Sequence, residues 1–222
     1  ERLAYEAGTA PAGVELRADW VFQISPQKCE LFGALALTRH NGRWTRARVD
    51  LPEGYDAQSV DGADTWQQEG AALYLHFDPA DSAAALERRL VLHLVRIAEA
   101  DQSQWQITPP RLDGVEKQTG SALIVAEADR EVRLSGLPAD GSARETNPGA
   151  IGSVFEIAPP FEVKRGLRLE GADWTAQATL QTLAPRFSAE AVALLLVSDT
   201  GVRLSQQVAL LVEQGAPRQI TG

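Results

Sequence analysis

At 222 residues, 44% hydrophobic and 23% charged, the chain has the length and balance of a folded globular protein, which excludes a disordered tail and a bundle of membrane helices. Acidic residues outnumber basic ones 30 to 21, a net charge of -9, so a phosphate backbone is repelled on average and nucleic acid is set aside as a partner. Cys29 is the single cysteine, which excludes an intramolecular disulfide and a cysteine zinc cage.

Hydrophobic periodicity favours a repeat of two over one of 3.6 along most of the chain. Val14, Leu16, Trp20, Phe22 and Ile24 all fall on even positions, as one face of a half-buried strand requires. Leu31, Gly33, Leu35 and Leu37 repeat the pattern on odd positions. The Asn41-Gly42 pair then predicts a hairpin, because both residues tolerate positive φ, and it pairs Leu31 to Leu37 with Trp44 to Leu51. Pro52-Glu53-Gly54 closes that strand, Asp61-Gly62 turns the next, and Leu73, Leu75 and Phe77 form another before Asp78-Pro79.

Over 81–100 two periods compete. Leu86, Leu90, Leu94 and Ile97 fit a helical stripe, whereas Leu90, Leu92 and Leu94 share one face of a strand, and the strand is preferred. The same competition at 188–197 is resolved the same way. Pro109 and Pro110 cannot continue a ladder, so a domain boundary is expected there. Beyond it, apolar runs from Ala122 to Val212 are broken by Gly, Pro and Asp, and Pro138 to Gly152 is the longest expected loop. The expected fold class is all-β, two tandem antiparallel β-sandwich domains at 1–108 and 112–222.

Catalytic signatures are sparse. His40, His76 and His93 are the only imidazoles, with no H-x-H or H-x-x-x-H spacing, and are read as turn or solvent-facing residues. The serines of Gly120-Ser121, Gly141-Ser142 and Gly152-Ser153 lack the flanking glycines of a nucleophile elbow, and no phosphate-binding glycine loop occurs. Cys29 reads as a packed small hydrophobe, and the acidic turns at Asp61, Asp78, Asp113 and Asp199 as turn chemistry. Trp20 belongs with the core; Trp44, Trp66, Trp105 and Trp174 lie beside turns, where a ring either plugs a sandwich end or stacks on a sugar. No catalytic residue, cofactor or metal is expected, and no apolar run is long enough to span a bilayer as a helix.

The segments Leu51-Pro52-Glu53-Gly54-Tyr55, Ser59-Val60-Asp61-Gly62 with Trp66, and Leu73 to Phe77 resemble a pattern in large uncharacterised exported bacterial proteins. Gly114-Val115-Glu116-Lys117-Gln118-Thr119-Gly120 before Ala122 to Ala126 is similar to a second motif of those proteins. The resemblance covers a small part of the chain and implies a periplasmic or secreted, multidomain β-sandwich setting. The bias to 18 Arg over Lys28, Lys117 and Lys164 fits a GC-rich bacterial source, and the lack of any Met leads to the expectation of a processed or partial chain. The function expected is a non-catalytic binding or scaffolding module that contacts a protein partner or a neighbouring domain, with a glycan-binding or glycan-cleaving module as the alternative. Its contact residues are expected to be Val208, Leu210 and Val212, in an unbroken apolar run that asks for burial on both faces.

Overall fold

The computed structural model describes residues 13–39, 45–78, 87–184 and 186–214. They form sixteen strands and one 3-10 turn, an all-β fold, and no helix among them is long and apolar enough to cross a membrane. Alternation builds the strands. In β1 (Val14–Ile24) every even position is buried, and in β2 (Lys28–Arg39) every odd one. The contested 81–100 segment holds β7 (Glu87–Ile97), a strand with Leu90, Leu92 and Leu94 buried; residues 79–86 lie outside the described set.

A seven-stranded sheet is the centre of the molecule. Its order is β12 (Ala143–Thr146), β13 (Phe161–Leu169), β10 (Val115–Glu127), β1, β2, β7 and β4 (Asp56–Asp61). A four-stranded sheet contains β5 (Thr65–Glu69), β6 (Ala72–His76), β3 (Arg46–Asp50) and β9 (Arg111–Leu112), and a three-stranded sheet contains β11 (Arg130–Ser135), β14 (Ala176–Thr182) and β8 (Gln104–Ile107). Residues of all three sheets share one buried cluster, among them Trp20, Leu31 and Leu92 of the large sheet, Leu73 and Leu75 of the second, and Trp105 and Ile107 of the third.

Two expectations are corrected by the pairing. Leu31 to Leu37 does not pair with the strand that follows it: both edges of β2 are occupied, by β1 with Trp20 opposite Gly33 and by β7 with Leu92 opposite Gly33, while β3 joins β6 and β9. An Asn-Gly turn governs only the chain reversal, not the partners of the strands beyond it, and residues 40–44 lie outside the described set. The division into 1–108 and 112–222 does not match either. β10 lies parallel to β1, with Trp20 opposite Ala122, so strands from both sides of Thr108–Arg111 complete one sheet over one core. Pro109 and Pro110 are buried between β8 and β9, and their missing N–H groups end one ladder as the chain passes from the three-stranded to the four-stranded sheet.

Candidate functional site

The residues singled out for chemistry are spread through the fold. Cys29 is buried, and the Tyr55 hydroxyl donates to its Sγ at 3.0 Å. Burial pushes the thiol up to about 12, so it is an inert packed group. His93 lies against Phe32 with ring centroids 4.4 Å apart, and its Nε2 is 3.6 Å from Glu30 Oε1. His40 lies outside the described residues. Asp64 Oδ2 accepts from the Asp78 amide at 2.6 Å, tying two acidic turns together. No group of three His, Cys, Asp or Glu side chains able to hold a metal occurs among the described residues. Trp105 and Trp174 are buried, with Trp105 Nε1 donating to the Ser25 carbonyl at 2.9 Å, and Trp66 is the one exposed tryptophan among the described residues.

The most unusual surface is the hairpin of β15 (Arg186–Ser198) and β16 (Gly201–Gln214), which pair only with each other among the described strands. Residues 188–197, where helix and strand compete in the sequence, are strand. The run Val208 to Val212 lies in β16, but the chain itself leaves Val208 53% and Leu210 41% exposed, and the side chain of Val212 falls outside the described set.

Directly opposed residues of an antiparallel pair share a face, which sorts this ribbon into two sides. One carries the pairs Val197–Val202, Leu195–Leu204, Ala193–Gln206, Ala191–Val208 and Ala189–Leu210, where Gln206 is the single polar residue. The other mixes Val192, Leu194 and Leu196 with Gln207, Ser205 and Arg203 opposite them. The apolar side is exposed along its length, 65% at Leu204 and 67% at Val202. That is a patch on the order of 600 Å², at the upper end of what a lone soluble chain presents. A two-stranded ribbon is marginal in water by itself, so cover for this face would stabilise it.

A second feature is a cleft of about 770 Å³ on the face of the large sheet turned away from the core. Its floor follows from register: Asp19 lies opposite Ser121, which lies opposite Arg168, and in the neighbouring rows Arg17 faces Thr119 and Glu15 faces Lys117. Odd positions of β1 point here because the even ones fill the core. Ser121 Oγ donates to Asp19 Oδ1 at 2.7 Å, and Arg17 Nε is 3.5 Å from Asp19 Oδ2. Gly120 permits the close contact of β10 with β1: its φ is +153°, and a Cβ there would lie 1.8 Å from the Ala18 carbonyl oxygen.

The rim comes from the expected long loop, Pro138 to Gly152, which contains β12 and a 3-10 turn, Pro148–Ala150, capped by the Asn147 side chain accepting from the Gly149 amide. Gly166 lets this rim settle on β13, because a Cβ at 166 would stand 2.8 Å from Ile151 Cδ1 and 3.0 Å from Pro148 Cα. None of the cleft residues was identifiable as a group in the sequence, since they come from β1, β10, β13 and the rim segment, which become neighbours only through the long-range β1–β10, β10–β13 and β12–β13 pairs.

No known family pattern and no curated protein matches the sequence. Among solved structures, an M1 zinc metallopeptidase from Deinococcus radiodurans is similar over 88% of this chain and 47% of its own, with 9% identity and a TM-score of 0.46. Legionella pneumophila aminopeptidase A is similar over 90% of this chain and 24% of its own, with 10% identity and a TM-score of 0.46. The chain thus spans less than half the length of either, and at these values neither likeness assigns a role to any residue described above.

Proposed function

We propose that the chain is a non-catalytic binding module of a bacterial envelope or secreted protein, held to a protein partner or a neighbouring domain through the apolar side of the β15–β16 hairpin, with Val208, Leu210 and Val212 among the contacts. The observation that carries this reading is the exposed ribbon face on which Gln206 is the single polar residue between Ala189–Val197 and Val202–Leu210. Its occupant has an uncharged apolar surface, because a charged one would be desolvated there without a counter-ion. A second copy of the chain is the poorer occupant: each copy carries a net charge of -9, which opposes self-association.

Photo-crosslinking in the native, full-length protein tests the proposal, with the reactive side chain placed at position 195 or 204 on the apolar side. A single protein adduct, or one within a neighbouring domain of the same polypeptide, that disappears on Leu210→Asp with the fold intact is the expected result. Adducts to a second copy, adducts to lipid, or no position-dependent adduct would overturn it.

A further inference from the structure

Sheet edges distinguish the hairpin from the rest of the molecule. The other edge strands among the described residues are β12 and β4, β5 and β9, β11 and β8, and none is longer than six residues. The two longest are blunted. β4 is interrupted by a register shift between Ala57 and Ser59, where the Gln68 side chain accepts from the Ala57 amide at 2.7 Å and donates to the Tyr55 carbonyl at 3.0 Å. β11 carries Arg130, Glu131 and Arg133 within its six residues. Short length, irregularity and charge are the ordinary means of keeping an edge from pairing with another strand.

β15 and β16 have none of these devices. They run 13 and 14 residues, contain no proline, and keep an unbroken register from Phe187–Val212 to Ser198–Gly201. Glu190 and Arg203 are the only charges in that span, and both fall on the mixed side. Alternate residues of an antiparallel pair bond across it and the others direct N–H and C=O outward, so each outer edge offers the unpaired backbone of about six residues. The apolar side, on the order of 600 Å², is smaller than the roughly 800 Å² per partner of a standard stable interface. Cover of that face alone leaves the contact undersized, and pairing along an edge adds main-chain hydrogen bonds together with the missing area.

We propose that the hairpin is held by strand addition: a neighbouring β-sheet domain of the same polypeptide lays its edge strand along an outer edge of the hairpin, and the enlarged sheet packs its apolar side on that domain's core. The inference rests on the reading of this apolar side as a binding surface and names its occupant and mode of contact. The one-sided pattern, apolar but for Gln206 on one side and mixed on the other, is that of two strands in a sheet with one face on a core and one in water. An edge this long and unprotected is a template for unwanted pairing whenever it is bare, so its cover has to accompany it at all times. A tethered domain does so at an effective concentration on the order of millimolar, which a freely diffusing partner does not match.

Amide exchange read residue by residue along β15 and β16, in the isolated 222-residue chain and in the protein in its native setting, tests the proposal together with the photo-adducts formed from position 195 or 204. In the isolated chain, amides bonded across the hairpin should exchange more slowly than the outward-pointing ones between them. In the native setting the outward set along one of the two strands should slow by about tenfold or more, to the level of its neighbours, and the adduct should lie within the same polypeptide. Outward amides that stay fast on both strands while the apolar side is covered would overturn strand addition. An adduct on a separate protein would overturn the tethered source, and in either case the apolar side would remain a binding surface. No protection anywhere in the hairpin would overturn both readings.

Discussion

A methyl group at position 33 would meet the ring of Trp20. Gly33 sits opposite Trp20 in the β1–β2 ladder, and a Cβ there would lie 2.2 Å from Cζ3 and 2.6 Å from Cε3. Carbon atoms pack best about 3.5–4.0 Å apart, so the ring would have to move by more than 1 Å. Trp20 is 2% exposed within the main core and has no free direction in which to move. Overpacking of this kind costs about 1–3 kcal/mol, and the smaller entropy of an unfolded chain with Ala in place of Gly returns about 0.4–1 kcal/mol. Gly33→Ala should therefore lower stability by about 1–2 kcal/mol, read as a fall of a few degrees in Tm or in the urea midpoint followed by tryptophan fluorescence. In a Trp20→Leu background the same substitution should be close to neutral, giving a coupling of about 1 kcal/mol in the double-mutant cycle. A neutral or stabilising Gly33→Ala in the wild-type background, or strict additivity in the cycle, would refute the reasoning.

Three further outcomes follow from buried or close contacts. Gln118 lies opposite Leu16 on the core side, buried, with both amide atoms unpartnered among the described residues, so Gln118→Leu should raise stability by about 1 kcal/mol; a fall in Tm would contradict this. Burial raises the Cys29 thiol from 9.0 to about 12 and holds the Tyr55 phenol above its ordinary range. The unfolded thiol therefore ionises first, and the stability from keeping the thiol neutral is complete below pH 9 and lost as pH rises toward about 12. Urea midpoints between neutral and alkaline pH should fall less steeply for Cys29→Ala than for the wild type, and identical slopes would contradict the assignment. Gly166→Val should lift Ile151 and Pro148 from β13 and alter the amide shifts of the cleft rim while costing about 1–3 kcal/mol; unchanged rim shifts would show that the glycine does not seat it.

Local features of the fold were legible in the sequence, and its connections were not. Alternation at Val14–Ile24 and Leu31–Leu37 identifies strands and their buried faces, because a period of two has the same meaning whatever lies alongside. It carries no information about the neighbour. β2 reads identically whether its partner is the next strand or β7, and the parallel β1–β10 pair depends on a crossover that contains every strand between them. Pro109-Pro110 is likewise a reliable break whose meaning is not local: a change of sheet and a change of domain impose the same loss of ladder donors. The apolar run at Val208–Val212 was visible, whereas the one-sided character of the ribbon required the register that sets Leu195 opposite Leu204. Arg17, Lys117 and Arg168 are unremarkable surface cations until that same kind of long-range register brings them to one face.

Amide hydrogen exchange across residues 186–214 tests the central claim most directly, compared between the isolated 222-residue chain and the protein in its native setting. An uncovered two-stranded ribbon opens readily, so in the isolated chain these amides should exchange far faster than those of β1, β2 and β10. In the native assembly the amides of 189–197 and 202–210 should become protected together, by about tenfold or more, while the large sheet changes little. Equal exchange of the hairpin in both states would contradict the claim that its apolar face is a binding surface.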